Sequence, residues 1–294
     1  MYSVSRGGAT MEIVQDIEHY NSLVRRIRKS GKVIFHNNYL YHDTVQRYVS
    51  KGRMYFELND TGLYLYTDEG KNYRLFFYLL NNYSVVLRKL EKPIFTRLYC
   101  KDDEKSNSIM NIEESLKECG LEFYCSLLQF KADVNKNKEI LYQKKLECDE
   151  ILAKERFRVT KPTEKFYDDI IYLQYNTKEI LPLHFTYETQ EETLNEINSG
   201  NYICVLNENN TLCSVLKLSY ENGTAREEWI SVKPEYQGKK MGKALMYYSL
   251  SATSEKNYEK IYVWISRTNE RSLNIHQKYG YEKTGKAVDE WVLW

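Results

Sequence analysis

The sequence predicts an α/β protein, with a mixed sheet and flanking helices in its second half and an α+β domain in its first. Three observations lead there. A strand-like run, Glu228-Trp229-Ile230-Ser231-Val232, passes through a Pro-containing turn and a Gly-bearing loop into an amphipathic helix. A second run, Ile261-Tyr262-Val263-Trp264-Ile265, leads into a helix that Gly280 stops. The order helix, Gly stop, strand, turn, strand, turn, strand occurs twice, near residues 45–79 and 189–232.

In chain order, the opening ten residues carry no apolar core of a secretory signal and read as a leader, with the folded chain expected to start near Met11. Val45 to Gly52 reads as a helix stopped by Gly. Strands are expected at Met54–Leu58, Leu63–Thr67 and Tyr73–Leu79, separated by Asn-Asp-Thr-Gly and Asp-Glu-Gly turns. Ile112–Cys119 reads as a helix, Gly120 as its stop, and Leu121–Phe130 as a strand. Residues 131–155 are charged and free of Pro, with Ile140, Leu141, Leu146 and Ile151 spaced for one helical face, so they read as a connecting helix.

The second domain is expected over residues 156–294. Phe157–Thr160 is its first strand, Thr163–Leu173 and Thr189–Asn198 are its first helices, and Tyr202–Leu206 with Leu212–Leu218 form a hairpin across an Asn-rich turn. The strand at 227–232 follows. A helix comes next, with Met241, Leu245, Tyr248 and Ala252 on its inner face, then the strand at 261–265 and a helix capped by Thr268 or Asn269. Two short strands, Tyr281–Thr284 and Asp289–Trp294, are expected to close the chain.

Composition narrows the function. Lys plus Arg number 42 against 41 Asp plus Glu among 294 residues, so no basic excess argues for nucleic acid or a membrane surface. No apolar run is long enough to span a bilayer. The six cysteines form no Cys-x-x-Cys pair and are expected to be reduced thiols in a cytoplasmic protein. The five His have no metal-ligand spacing, and no metal is expected. Abundant Lys, Asn, Ile and Tyr with only four Pro suggest an AT-rich bacterial genome.

The loop before the 241–252 helix carries the most specific chemistry. A helix N-terminus offers unpaired N–H groups and the positive end of a dipole, which suits a pyrophosphate. Lys239, Lys240 and Lys243 add charge around it. The residues Gln237, Gly238, Lys239, Lys240, Met241 and Gly242 resemble the acyl-CoA signature Gln/Arg-x-x-Gly-x-Gly/Ala of GNAT-type N-acetyltransferases. Lys240 stands where that family usually has Gly; a first helical turn has negative φ, which Lys tolerates. The segment from Asn269 to Tyr281 resembles the family's second signature, Asn-x-x-Ala-x-x-Leu-Tyr-x-Lys-x-Gly-Phe, through Asn269, Ser272, Ile275, Lys278, Gly280 and Tyr281, with His276 in the Tyr position.

The resemblance implies a mixed-sheet GNAT acyltransferase fold for residues 156–294 and acetyl-CoA as acyl donor. It implies cofactor contacts from the loop residues 237–243, from backbone groups near Ile230 and Val232 where strands splay, and from Asn269 on the pantetheine arm. Glu227 and Glu228 lie near the family's usual place for a general base. On an unbroken strand they face opposite ways, and Glu228 shares a face with Ile230 and Val232. His276 occupies the usual general-acid position, with packing or a hydrogen bond as its other reading. Phe185, Tyr187 and Glu188, on the segment joining the first two helices, are candidates for an amine-binding wall or for core packing. No Cys or Ser sits in a nucleophile motif, so direct transfer in a ternary complex is expected.

The first half echoes the second but has no counterpart of Gln-Gly-Lys-Lys-Met-Gly between Leu79 and Ile112. It reads as a degenerate GNAT-like domain with no cofactor loop, and one CoA per chain is expected. The leading reading is thus an N-acetyltransferase acting on a small-molecule or peptide primary amine. A catalytically silent acyl-CoA sensor is the alternative. A tRNA-dependent aminoacyl transferase built from tandem GNAT-like halves fits less well, given the intact CoA loop and the lack of basic excess.

Overall fold

A computed structural model describes residues 11–136, 138–176, 188–221 and 223–294. The chain divides into two units, the first running to Leu127 and including Lys286–Trp294, the second spanning Leu128–Gly285.

The first unit contains β1 (Glu12–Ile13), α1 (Ile17–Lys29), β2 (Val33–His36), α2 (His42–Ser50), β3 (Met54–Leu58), β4 (Gly62–Asp68), β5 (Tyr73–Leu80), β6 (Ile94–Lys101), α3 (Asn107–Glu118) and the start of β7 (Glu122–Asp133). Its strands run β1-β3-β4-β5-β6, with β2 also on β5. All pairs are antiparallel except β5–β6, which is parallel at Tyr73↔Ile94 to Leu75↔Thr96. Alternation sorts β4 between two cores: Leu63 and Leu65 pack with Leu23, Ile27, Val45 and Val49 of α1 and α2. Tyr64 and Tyr66 pack with Ile112 and Leu116 of α3.

The second unit holds the end of β7, then α4 (Lys138–Lys154), β8 (Phe157–Thr160), α5 (Tyr167–Asn176), α6 (Gln190–Asn198), β9 (Tyr202–Asn207), β10 (Leu212–Glu221), β11 (Thr224–Val232), α7 (Met241–Glu255), β12 (Lys260–Ser266) and α8 (Glu270–Lys278). Its strands run β8-β9-β10-β11-β12-β7. Again a single pair among β8 to β12, β11–β12, is parallel. Thr189 caps α6 in a reciprocal capping box with Glu192, which fixes where that helix starts. Phe166, Ile170, Leu173 and Ile197 cover one face of the sheet over Tyr202, Cys204, Val215 and Trp229.

The two units therefore share element order and strand neighbours. Helix, helix, three antiparallel strands, a parallel strand and a further helix appear in both, as the sequence echo suggested. The first lacks a counterpart of α7, and among the described residues of the second none pairs with β11 as β2 pairs with β5.

The structure departs from the sequence reading in four places. The closing strands are one strand, β13 (Glu282–Leu293), that passes through Gly285 at φ +78°. Its residues from Lys286 pair with β6, so they belong to the first unit and not to a 156–294 domain. Buried Glu290 pins them there, accepting from Arg97 Nε at 2.7 Å and from Cys125 Sγ at 3.0 Å. The expected connecting helix is α4, an element of the second unit: it buries Cys148 and Leu152 while Leu146 stays exposed, and Asp149 accepts from Tyr248 of α7 at 2.8 Å. With the sheet on one side and α4 on the other, α7 buries Ala244, Met246, Tyr247 and Leu250 besides Met241 and Leu245, so its apolar surface is wider than one stripe. Finally, α1, β2 and β6 went unread.

Candidate functional site

After β11 a short 3-10 turn, Pro234–Tyr236, leads through Gln237 and Gly238 to α7. Gly238 has φ +83° and open space where a Cβ would stand. Lys240 has φ +64°, left-handed rather than the helical value expected of it. A side chain in that region costs about 1–2 kcal/mol, which is the physical reason for glycine at such a position. The first helical bond of α7 runs from Ala244 N–H to the Lys240 carbonyl at 3.1 Å, so the N–H groups of Met241, Gly242 and Lys243 have no partner within the helix. Gly242 packs near Ile275: a Cβ there would lie 3.8 Å from its Cδ1, an ordinary contact.

Two lysines around this loop, Lys239 and Lys243, rest on aromatic rings. Lys239 Nζ lies 5.4 Å from the ring centres of both Phe157 and Tyr236, and Lys243 Nζ lies 5.9 Å from that of Tyr247. Arg271 of α8, absent from the sequence-derived set, donates to the Gln237 side chain at 3.1 Å and adds a further cation. Asn269 spends its side-chain oxygen as the N-cap of α8, accepting from Ser272 N–H at 2.9 Å.

The strands leading to the loop part as expected. β11 and β12 pair only at Ala225↔Ile261, Arg226↔Tyr262 and Glu227↔Val263. Among the described residues, no strand pairs with β11 on that edge beyond Glu227, while β10 follows its other edge to Val232. Ile230 and Val232 stand on this open stretch, which ends at the loop before α7.

A bulge decides where the two carboxylates go. Lys217 pairs with Trp229 and Leu218 with Glu227, leaving Glu228 as an extra residue on β11. Glu227 and Trp229, two apart, consequently face opposite ways: Trp229 joins the α5–α6 core, and Glu227 meets α7 and α8. Glu228 is exposed and accepts from the Ser219 hydroxyl. Ser219 lies two residues from Lys217, whose ammonium rests 5.6 Å from the Tyr202 ring centre on the α5–α6 face. Glu228 thus shares that face and not the face of Ile230, as unbroken alternation had it.

Glu227 is 3% exposed and accepts from His276 Nε2 at 2.8 Å, Ser249 Oγ at 3.1 Å and Tyr281 Oη at 3.2 Å. The other His276 nitrogen, Nδ1, donates to the Ser272 carbonyl at 2.7 Å. Burial pushes the imidazole pKa down, but the Glu227 charge, its hydrogen bond and the Ser272 carbonyl outweigh burial, and the net shift is upward. Burial, then the Glu227 charge, holds the Tyr281 hydroxyl well above its usual range. Glu227, a candidate base, accepts from three donors, and His276, a candidate general acid, has both nitrogens engaged. Together they form a buried hydrogen-bonded pair that ties α8 to β11.

Of the acceptor residues, Phe185 and Tyr187 lie outside the described residues. Glu188 is paired with the buried Lys217 ammonium, so its carboxylate already holds a cation. Burial would lower the Lys217 pKa, but Tyr202 and Glu188 raise it overall, and it stays charged. Spacing along the chain gave no sign of Lys217 or Ser219, because both reach the site through strand register.

Residues 167–281 match the model of the acetyltransferase (GNAT) family. They are a GNAT acetyltransferase domain. Among curated proteins, no sequence matches the chain. The fold of the whole chain resembles a GCN5-related N-acetyltransferase from Sphaerobacter thermophilus, at TM-score 0.55 and 8% identity over 96% of this chain and 94% of that one. A GCN5-related glucosamine N-acetyltransferase region of a fungal multi-domain β-N-acetylglucosaminidase gives TM-score 0.62 at 11% identity, covering 99% of this chain and 38% of that one. A tandem GNAT protein from the clavulanic acid pathway gives TM-score 0.50 at 11% identity, over 79% of this chain and 78% of that one. These likenesses span both units, so the N-terminal half shares the GNAT architecture even though the family model leaves it unmatched.

Proposed function

We propose that the second unit binds acetyl-CoA and transfers its acetyl group directly to a primary amine. The observation that carries the reading is the β11 edge beyond Glu227, unpaired by any strand among the described residues, which runs straight into a helix N-terminus ringed by Lys239, Lys240 and Lys243. Backbone N–H groups of residues 238–243 would hold the pyrophosphate, the lysines would neutralise it, and the free edge at Ile230 and Val232 would bind the amide-bearing arm. Asn269, at the start of α8, has its amide nitrogen left for the same arm. The open space at Gly238 fits a group pressed against the loop backbone. The acyl donor supplies an activated thioester carbonyl.

The chain's own residues supply the rest. An alkyl amine is almost fully protonated near neutral pH, so a proton must leave before attack. Glu228 is the exposed carboxylate at the mouth of the opening, and it accepts that proton. Backbone N–H groups of the parted strand stabilise the oxyanion. With His276 locked to Glu227, the thiolate leaves without this imidazole. Direct transfer is supported by the cysteines of the second unit: Cys148, Cys204 and Cys213 are all buried, and burial pushes their thiols up, Cys204 to about 12.

The test is acetyl-CoA-dependent thiol release, screened over amino acids, polyamines, aminoglycosides and peptide N-termini. Turnover on any class supports the enzyme. Tight CoA binding with no thiol release on every class would leave a silent acyl-CoA sensor as the better description.

A further inference from the structure

We infer that the first unit's own cofactor-type opening is filled by the chain itself, with β2 and Asn37 lying where an acyl-CoA arm would otherwise run. This rests on the reading of the β11–β12 opening as the cofactor slot of the second unit.

The backbone pairing forces the placement. A strand has two edges, and β4 covers one edge of β5 throughout, from Asp68↔Tyr73 to Gly62↔Leu79. On the other edge β6 pairs with β5 at Tyr73, Leu75 and the residue between, then departs. This is the same three-pair parallel contact, followed by the same parting, as Ala225–Glu227 against Ile261–Val263. In the second unit no strand among the described residues pairs with the edge beyond. In the first, β2 takes it: His36 pairs with Tyr78, Phe35 with Leu79 and Val33 with Leu80.

Asn37 closes the remaining gap at the fork. Its backbone N–H donates to the Phe77 carbonyl at 3.2 Å, and its side-chain oxygen accepts from Phe77 N–H at 2.7 Å. Its Nδ2 reaches across to β6, donating to Thr96 Oγ1 at 2.9 Å and to the Arg97 carbonyl at 3.1 Å. One side-chain amide therefore satisfies both parted strands, and it is 2% exposed. An amide of a pantetheine arm has the same donor and acceptor, so the position is chemically taken. Asn38 anchors the far end, donating to Tyr20 Oη at 2.9 Å and Tyr78 Oη at 3.2 Å.

The phosphate end is closed as well. After β5 the chain forms no helix before β6, and the amides there turn inward: Val85 N–H donates to Ser115 Oγ at 2.7 Å and Val86 N–H to Tyr64 Oη at 3.1 Å. The first unit is thus a sealed copy of the fold, and the seal is the segment between its first two helices.

Hydrogen exchange on the full chain, with and without acetyl-CoA, tests this beside calorimetry. The expected result is slow exchange at Phe77 and along 33–37 without ligand, unchanged by acetyl-CoA, with new protection confined to 228–243 and one molecule bound per chain. Asn37→Ala should speed Phe77 exchange at least tenfold and leave acetyl-CoA affinity unchanged. Fast Phe77 exchange in the wild-type protein, ligand-induced protection at 77–80 or 96–97, or two molecules per chain would overturn the inference. Absence of binding, with slow Phe77 exchange that Asn37→Ala releases, would refute the cofactor reading of the second unit and uphold the seal in the first. The wild-type exchange pattern decides the matter even where Asn37→Ala does not fold.

Discussion

Where β5 and β6 part, in the first unit, the chain lays a strand of its own on the bare edge and bolts the fork with Asn37. Where β11 and β12 part, in the second, no strand among the described residues pairs with the edge beyond Glu227, and that edge leads to a left-handed lysine and a helix N-terminus. The strand order is the same, and among the described residues the two forks differ in β2 beside one and the loop with α7 beyond the other. Parting a parallel strand pair leaves backbone groups that something must satisfy. A protein with two such forks can meet the need once with its own chain and once with a ligand. The first solution yields stability and the second yields a site, which is why changes at the two forks should register in different measurements.

The largest expected effect is on turnover. Glu228→Gln should lower the acetyl-transfer rate by about 10²–10⁴-fold at neutral pH, with acetyl-CoA affinity and unfolding midpoint nearly unchanged. The loss should shrink at higher pH, where more amine is already neutral. Wild-type turnover in this variant across the pH range would remove Glu228 from the mechanism.

Next comes the buried pair under the site. His276→Gln leaves the buried Glu227 carboxylate without its cation and should cost about 3–5 kcal/mol in chemical denaturation. The sign with pH follows from the raised folded-state pKa of His276. Its stabilisation is fully present below the unfolded value of about 6.5 and declines as pH rises through the folded value. The stability gap between wild type and His276→Gln should therefore narrow on the alkaline side. A gap that is constant or widens with pH would mean that the imidazole is neutral in the fold.

A smaller effect is expected at the phosphate end. Lys239→Glu and Lys240→Glu should each weaken acetyl-CoA binding by about tenfold at low salt, roughly 1.4 kcal/mol, and less at high salt. Charge reversal at Lys89, in the segment after β5, should do nothing to binding. Equal losses at both places would erase the distinction between the open and sealed copies.

The smallest effect is conformational. Lys240→Gly removes a side chain from φ +64° and should change stability by well under 2 kcal/mol. Relief of left-handed strain, about 1–2 kcal/mol, is partly offset by the entropy that glycine adds to the unfolded chain. A large destabilisation, read by thermal melting, would show that the lysine side chain holds the loop.

Much of this protein was written locally. Thr189 with Glu192 marks the start of α6, Asn269 caps α8, Gly280 at φ +86° ends it, and the Asn-rich turn joins β9 to β10. Caps, stops and turns depend on residues a few positions apart, so they survive reading in one dimension. The signature loop is of the same kind, a contiguous run whose chemistry follows from its residues. The echo between the halves was visible for that reason too.

Tertiary structure alone decided the rest. Glu228 and not Glu227 faces out because a bulge, set by the register of β10 against β11, breaks the alternation that sequence reasoning assumed. His276 is locked away because a carboxylate 49 positions distant lies 2.8 Å from its ring. Lys240 is left-handed because the chain must turn from β11 into α7 within a few residues. The last strand belongs to the first unit through its pairing with β6, and β2 seals a fork it does not adjoin in sequence. Each of these rests on which strand edge meets which segment. Edges are filled by long-range hydrogen bonds, and the residues that make those bonds look, one at a time, like any other strand or loop residues.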